Sequence, residues 1–271
     1  DKVTSGEGDD NINAGEGRNQ IKSGGGNDII TTGDGHDRID AGDGDDIINA
    51  GEGTNQIKSG KGNDVITAGS GTDKVDASDG DDLVNVGAGN NQVKSGTGND
   101  TVIAGSGDDK IDAGTGNDLV SAGDGRNQIK TGDGDDTITS GSGADRIDSG
   151  AGHDRINAGD GANQIKSGDG DDWIQTGFGN DRIYSSIGND TLSTGDGKDQ
   201  IYSGLGDDMI DAGAGNDKIL ADAGNDTIAG GSGSDLIDGG AGDDRIAGGI
   251  GADAIKGGSG ADVFVFNSLD E

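Results

Sequence analysis

The sequence contains no cysteine and no proline, and only 2% of its 271 residues are aromatic. Without cysteine, the chain can form no disulfide, no thiolate metal site and no cysteine nucleophile. No apolar run approaches the roughly 20 residues that a membrane-spanning helix needs. Hydrophobic residues make up 27% of the chain, and the formal net charge is -34. A chain this acidic and this poor in apolar groups is expected to stay unfolded unless something neutralises its charge.

Two kinds of partner and most kinds of catalysis are disfavoured as well. An acidic surface repels the phosphates of nucleic acids and of anionic membranes. No Ser/His/Asp set, HExxH stretch or phosphate loop is present, so we expect no enzyme activity here, although a catalytic domain elsewhere in a parent protein stays open. The sequence starts in mid-motif with no signal peptide, and we expect it to be a fragment of a longer protein.

Glycine is abundant, with 60 residues, and it recurs with a period of nine between Ser5 and Phe264. The repeat reads small-Gly-x-Gly-x-Asp-x-Ile-x, and its positions are numbered one to nine below. Position four is glycine in all 29 complete copies, position six is Asp or Asn in all 30, and position eight is always apolar. Position two is glycine except at Ser78, Ser186 and Asp222.

This pattern predicts a stacked β-structure. Glycine at positions two and four permits positive φ, so six residues can make a tight turn. The next three residues form a short strand, whose alternation turns position eight inward and positions seven and nine outward. One inward residue is too little core for a single repeat, but stacked copies bury a continuous apolar column. Helices are excluded, because glycine costs about 1 kcal/mol per residue in a helix.

Copies such as GGSGSDLID (230–238) and GGAGDDRIA (239–247) match a known calcium-binding nonapeptide. The chain therefore resembles the RTX (hemolysin-type) calcium-binding repeat family over almost its whole length. The resemblance implies an all-β, right-handed parallel β-roll (a β-helix or solenoid) with two nonapeptides per turn and about 15 turns. It also implies calcium ions between successive loops on one side, held by position-six carboxylates and loop carbonyls.

The chemistry of the residues also favours calcium. Calcium takes 6–8 oxygen ligands in flexible geometry, and the loops offer carboxylates, amides and carbonyls. Zinc would need Cys or His, and only His36 and His153 are present, in distant repeats. The alternative is that the aspartates cap turns and keep the chain soluble. Against it, position three varies freely while position six does not, and stacked carboxylates would repel one another without a cation.

Two repeats per turn separate the position-six residues into two rows. We name one the all-aspartate row: Asp10, Asp28, Asp46, Asp64, Asp82, Asp100, Asp118, Asp136, Asp154, Asp172, Asp190, Asp208, Asp226, Asp244 and Asp262. We name the other the mixed row. Its predicted ligands are Asp37, Asp73, Asp109, Asp145, Asp181, Asp199, Asp217, Asp235 and Asp253, with the weaker ligands Asn19, Asn55, Asn91, Asn127 and Asn163. One ion between neighbouring loops gives 27 possible sites, and we expect roughly 14 to 27 ions.

The five asparagines are 36 residues apart and mark a super-repeat over about residues 15–200. Replacing a carboxylate by an amide removes ligand charge, one of the factors that set calcium affinity. One hypothesis is therefore a graded row of lower-charge calcium sites. The alternative is duplication of a 36-residue unit that carried its asparagine along.

The outward positions predict two further features. On the mixed-row side, position nine alternates in charge, and we name this the charge ladder: Lys22, Asp40, Lys58, Asp76, Lys94, Asp112, Lys130, Asp148 and Lys166. On the other side, position seven carries what we name the apolar ladder: Ile29, Ile47, Val65, Leu83 and Leu119, interrupted by Thr101. The apolar ladder is either a contact face for a parent domain or a second copy, or simply a set of residues with high β-propensity.

The sequence thus predicts one repeat domain over 1–262 and the start of a C-terminal capping region over 263–271. The expected function is a calcium-binding structural module, secreted unfolded and folding on extracellular calcium. In the family, such repeats accompany bacterial type I secretion, so the expected partners are calcium ions and, through the parent protein, the secretion apparatus. The alternative is an extender or contact rod of an adhesin or surface-layer protein.

Overall fold

A computed structural model describes residues 1–266, and every regular element in that range is a β-strand. Two compact units, Asp1–Ser140 and Gly141–Glu271, are described separately below. Within the described range, no helix has the length and apolar character required to cross a membrane.

The first unit contains 16 strands. They are β1 (Lys2–Glu7), β2 (Asn11–Gly15), β3 (Gln20–Gly25), β4 (Ile29–Thr32), β5 (Arg38–Asp43), β6 (Ile47–Asn49), β7 (Gln56–Lys61), β8 (Val65–Thr67), β9 (Lys74–Asp79), β10 (Leu83–Asn85), β11 (Gln92–Thr97), β12 (Thr101–Ile103), β13 (Lys110–Thr115), β14 (Leu119–Gly123), β15 (Gln128–Asp133) and β16 (Thr137–Ser140). One sheet has the order β1-β3-β5-β7-β9-β11-β13-β15, and the other has the order β2-β4-β6-β8-β10-β12-β14-β16.

The second unit repeats this arrangement. Its strands are β17 (Arg146–Ala151), β18 (Arg155–Asn157), β19 (Gln164–Asp169), β20 (Trp173–Gln175), β21 (Arg182–Ile187), β22 (Thr191–Ser193), β23 (Asp196–Gly197), β24 (Gln200–Leu205), β25 (Met209–Asp211), β26 (Ala214–Gly215), β27 (Lys218–Ala223), β28 (Thr227–Ala229), β29 (Ser232–Gly233), β30 (Leu236–Ala241), β31 (Arg245–Ala247), β32 (Ile250–Gly251), β33 (Ala254–Ser259) and β34 (Val263–Val265). The sheet orders are β17-β19-β21-β24-β27-β30-β33 and β18-β20-β22-β25-β28-β31-β34, with a small third sheet β23-β26-β29-β32.

The strand register confirms two nonapeptides per turn. Ile21 pairs with Ile39 and Ile39 with Ile57, so each residue lies beside the residue 18 positions later. Within the described residues, the strand pairs of both units are parallel, for example Val84 with Val102. The first unit contributes eight turns and the second seven, which confirms a parallel β-solenoid of about 15 turns. The right-handed sense of the coil stays a prediction.

The core contains two inward positions per repeat, not one. Position eight is buried as predicted, as at Ile39 and Val84. Position one is buried as well, as at Ala41 and Ser59, each 0% exposed. The sequence interpretation of one inward residue per strand was therefore wrong. The strands of the first sheet run on from position seven to position three, so the two-residue alternation brings position one inward after position eight.

The loops that carry the two position-six rows differ in conformation. Position-two glycines leading into the all-aspartate row have φ near 120°, as in Gly42. Position-two glycines leading into the mixed row have lower φ, as in Gly51 at 68°. A Cβ at Gly42 would overlap the carbonyl oxygen of Gly24 one turn before. Glycine is therefore required here for two reasons, the positive φ and the close stacking of the loops.

The two outward ladders are aligned as predicted. In the charge ladder, Asp40 pairs in register with both Lys22 and Lys58. Within the described residues, one ladder pair closes to an ion pair, Lys166 Nζ to Asp148 Oδ1 at 3.9 Å. In the apolar ladder, Ile47 lies between Ile29 and Val65 and is 50% exposed.

At the C-terminal end, β34 still pairs with β31, and Ile246 lies beside Phe264. Phe264 occupies position eight but is 42% exposed, since no later strand among the described residues covers it. Phe266 is 81% exposed. The capping region expected over 263–271 stays a prediction, and its residues 267–271 lie outside the described residues.

Candidate metal sites

The position-six side chains are buried where loop and strand meet. Away from the ends their exposure is only 0–3%, as at Asp64 (1%) and Asn163 (0%), whereas Asp10, Asp253 and Asp262 near the ends are half-buried. In each row, Oδ1 accepts a hydrogen bond from the backbone N–H of the same row one turn earlier. The Asp46 N–H donates to Asp64 Oδ1 at 2.8 Å, for example. These bonds stack successive loops and fix the orientation of every carboxylate.

The second carboxylate oxygen of these aspartates has no such donor. In at least 18 of them, Oδ2 is buried and has no hydrogen-bond donor among the described residues: Asp28, Asp37, Asp46, Asp64, Asp73, Asp82, Asp100, Asp109, Asp118, Asp172, Asp181, Asp190, Asp199, Asp208, Asp217, Asp226, Asp235 and Asp244. Buried polar groups in proteins are nearly always paired, and an unpaired buried charge is costly. A repeated row of such atoms therefore points to a missing positive partner.

Backbone carbonyls lie close to these orphaned oxygens. A Cβ placed on Gly230, at position one, would lie 2.7 Å from Asp235 Oδ2 and 2.6 Å from the carbonyl oxygen of Gly248 one turn later. The two oxygens are therefore no more than about 5.3 Å apart. Two acceptors cannot bond to each other, but calcium–oxygen distances of 2.3–2.6 Å would allow both to contact one ion.

Burial also disfavours the ionised form of these carboxyl groups. Removal from water, reinforced by the neighbouring carboxylates Asp64 and Asp100, raises the pKa of Asp82 to about 7, although the Asp64 N–H opposes the shift. Asp118 and Asp226 show the same rise to about 7, with burial again the largest cause. A cation among these groups would stabilise the carboxylates and oppose the rise in pKa.

The residues present fit a hard cation. The available donors are carboxylate and carbonyl oxygens, which calcium prefers. Within the described part of the chain, no three His, Asp or Glu side chains converge on one point. A site here would therefore combine the position-six side chains of neighbouring loops with backbone carbonyls, as the sequence analysis expected. The Oδ1 contact is shared by the asparagines, since the Asp37 N–H donates to Asn55 Oδ1 at 3.1 Å.

The sequence interpretation missed two sets of residues beside these sites. At position one, hydroxyls donate to position-one carbonyls of the next turn, as Ser59 Oγ does to Ala77 at 3.1 Å. The Ser59 hydroxyl also interacts with the Asp64 carboxyl group, where it opposes the rise in pKa that burial causes. In the copies that carry the all-aspartate row, position one alternates between Ser and Ala, beginning Ser23, Ala41, Ser59, and this was the available signal.

At position five, side chains form a second hydrogen-bond row on the all-aspartate side. Asp9 Oδ1 accepts the Asn27 N–H at 2.8 Å, and Asn27 Oδ1 accepts the Asp45 N–H at 2.9 Å. His153 lies in this row, where its Nδ1 accepts the Asp171 N–H at 2.9 Å. The frequency of Asp and Asn at position five was the sequence signal for this row.

The stacked loops, the paired Oδ1 contacts and the orphaned oxygens define a repeat solenoid with oxygen-lined cation sites along its loops. The model of the RTX calcium-binding nonapeptide repeat matches the chain in overlapping segments: 4–39, 23–57, 50–84, 58–93, 86–120, 94–129, 121–156, 131–165, 157–192, 184–219, 193–228, 202–237, 220–255 and 229–264. The chain belongs to this family, and it is a calcium-binding repeat module. Comparison with curated proteins gives no match.

Proposed function

We propose that this module is a folding switch, unfolded without calcium and folded when calcium occupies its loops. The observation that supports the proposal most strongly is the row of buried Oδ2 atoms without donors. The net charge of -34 acts in the same direction, because it opposes the compact state until cations are bound. The proposed role is structural, not catalytic.

The energies involved are large enough for a switch. A buried charge without a partner costs several kcal/mol even after relaxation. The apolar core, built of single Ile or Val side chains and small residues at position one, offers limited compensation per turn. An ion that binds only the folded state adds about 2.7 kcal/mol per site when its concentration is 100 times the dissociation constant. Many sites acting together would move the chain from mostly unfolded to mostly folded.

The place of action follows from this calcium dependence. Proteins with RTX repeats are typically secreted by bacteria, and the absence of cysteine suits such a protein stabilised by other means. In this proposal the chain leaves the cell unfolded through a type I secretion apparatus that recognises the parent protein. It then folds where calcium is abundant, outside the cell or at its surface.

Far-UV circular dichroism during a calcium titration tests the switch, with magnesium as the control ion. The expected result is a coil spectrum in chelator and a transition to β-structure that calcium causes and magnesium does not. A chain that shows its full β-spectrum in chelator would refute the switch and leave a preformed scaffold.

A second role, as a contact rod, is favoured by the apolar ladder. Ile29, Ile47, Val65 and Leu83 lie in register on the outer face and are 40–50% exposed. Such a continuous row could pack against a parent domain or a second copy. Sedimentation of the calcium-loaded chain measures self-association, and replacing these four residues by Thr should abolish it. A monomer at all concentrations would remove the second copy as a partner.

A further inference from the structure

The asparagines of the mixed row direct their amide nitrogens at loop carbonyls. Asn19 Nδ2 donates to the Gly15 carbonyl at 2.9 Å. Asn55 Nδ2 donates to Gly51 at 3.3 Å and to Ala68, in the next loop of the row, at 3.2 Å. The remaining three behave alike: Asn91 donates to Gly87, Gly89 and Ala104, Asn127 to Gly123, and Asn163 to Gly159. Each amide therefore satisfies a carbonyl of its own loop, and two of them also reach the next loop.

The orientation of these amides follows from the stacking of the loops. The Asp37 N–H donates to Asn55 Oδ1 at 3.1 Å, and the Asp73 N–H donates to Asn91 Oδ1 at 3.0 Å. An N–H group needs an acceptor, so the oxygen of each amide must face the preceding turn. The NH₂ group then necessarily faces the carbonyls, where it is the only end of the amide that can bond.

In the aspartate copies, the same branch of the side chain is the orphaned Oδ2. Asp235 Oδ2 lies near the position-one carbonyl of Gly248, just as Asn55 Nδ2 lies near the position-one carbonyl of Ala68. Asparagine thus places two donated protons where aspartate leaves room for a cation between oxygens. The amide and the ion are alternative ways of satisfying one set of carbonyls.

We propose that the asparagine amide replaces a calcium ion in the loop pairs Asn19/Asp37, Asn55/Asp73, Asn91/Asp109 and Asn163/Asp181, which bind no calcium. This inference rests on the proposed calcium occupancy of the other loops. The sequence hypothesis was a graded row of lower-charge calcium sites; in this proposal, pairs with and without calcium alternate instead where asparagines occur. Pairs that begin with aspartate, such as Asp37/Asn55 and Asp73/Asn91, keep an orphaned Oδ2 and remain calcium sites. In the four asparagine-first pairs, the two loops are joined by hydrogen bonds alone.

The test counts bound ions by native mass spectrometry at saturating calcium. The variant carries Asn→Asp changes at Asn19, Asn55, Asn91 and Asn163, which remove the amide donors and create carboxylates. It should bind about four more calcium ions than the wild type, because each change opens one loop pair. The matched control carries Asn→Asp changes at Asn13, Asn49, Asn85 and Asn157, which are exposed at position nine. It makes the same change in charge and should bind no additional ions.

An unchanged ion count in a variant with the wild-type β-spectrum would overturn the inference. If the variant does not fold in calcium, the count for the wild type decides. The sequence contains 27 loop pairs. A wild type that binds at least four ions fewer than this number supports the inference, and a wild type that binds 27 ions overturns it. Circular dichroism of the wild type in chelator separates this result from the folding switch. A chain already folded without calcium refutes the switch, whereas a calcium-folded chain whose variant gains no ions refutes only the amide replacement.

Discussion

Proton release during calcium binding at pH 6 distinguishes a chain that folds around its ions from a scaffold that is already folded. In the folded chain without ions, burial raises the pKa of four aspartates to about 7: Asp82, Asp118, Asp172 and Asp226. Burial likewise raises the pKa of six others to about 6: Asp46, Asp73, Asp109, Asp181, Asp208 and Asp217. In an unfolded chain, all ten would titrate near the ordinary value of about 3.9.

These values give very different proton counts at pH 6. In a preformed fold, a group with a pKa of about 7 is roughly 90% protonated and one with a pKa of about 6 is roughly half protonated. Calcium needs the carboxylate form, so the ten groups would release roughly six to seven protons. An unfolded chain holds less than about 0.1 proton on the same groups. Because we propose that the ion-free chain is unfolded, we expect almost no proton release.

The assay is calorimetric titration with calcium in two buffers of equal pH and different ionisation enthalpy. The difference in observed heat gives the number of protons exchanged, and circular dichroism of the same samples reports the β-structure. Magnesium provides the control for nonspecific screening of the acidic chain. Release of about six protons with no change in the β-signal would refute the folding switch, since it would show a protonated scaffold already in place.

The remaining predictions concern acid, the core and the loops. Because these aspartates have higher pKa values in the folded chain than in the unfolded chain, the ion-free fold gains stability as pH falls from about 7 to 4. The circular dichroism signal of β-structure in chelator should therefore grow over that range, and a constant signal would contradict this prediction. In the calcium-loaded chain, Ile111→Ala should lower the free energy of unfolding by about 2–5 kcal/mol, whereas Leu83→Ala on the exposed face should lower it far less. Urea unfolding measures both losses, and equal losses would argue against the assigned core. Gly60→Ala should destabilise the fold more than Ser78→Ala does, because a Cβ at Gly60 would overlap the Gly42 carbonyl, whereas Ser78 already has a Cβ at a φ of 86°. Equal urea midpoints for the two variants would contradict the close stacking of the loops.

The sequence was sufficient for the solenoid because its register is repeated in every copy. Position eight is apolar throughout, so any pairing of whole copies aligns apolar residues. Two copies per turn, which the resemblance implied, selects residues 18 apart, and Ile39 and Ile57 pair in that register. A slip by one residue would turn each of these side chains outward. Position one was not assigned to the core, because Ser, Ala and Thr there carry no hydrophobic signal as a group. In the first sheet their burial results from strands that continue beyond position nine, whereas in the second sheet position one is buried directly after strands that end at position nine, as at Ala50.

Sequence alone could place the candidate ligands but could not establish their orientation. The two rows follow from two repeats per turn, which the resemblance implied, and hydrogen bonds between residues 18 apart, such as Asp46 N–H to Asp64 Oδ1, show this stacking. Which atom of Asn55 faces the carbonyls depends on the N–H of Asp37, which lies 18 residues earlier in the chain. The difference in φ between Gly42 and Gly51 was likewise not predictable, since both are position-two glycines in the same motif.

The charges around the asparagines fit a row in which some turns lack an ion. The turn that contains Asn55 has Lys58 at position nine and a net side-chain charge of +1 over positions six to nine. The following turn, with Asp73, Lys74 and Asp76, has a net charge of -1. Lys58 lies in register beside Asp76, so residues of opposite charge lie on neighbouring strands of this face. Exposed pairs of this kind contribute only about 0–1 kcal/mol each, so the ladder does not substitute for an ion in stability. The charge ladder does reduce the repulsion among acidic side chains in turns where an amide joins two loops in place of a divalent cation. The amide replacement that we propose would account for the joint recurrence of asparagine at position six and lysine at position nine every 36 residues.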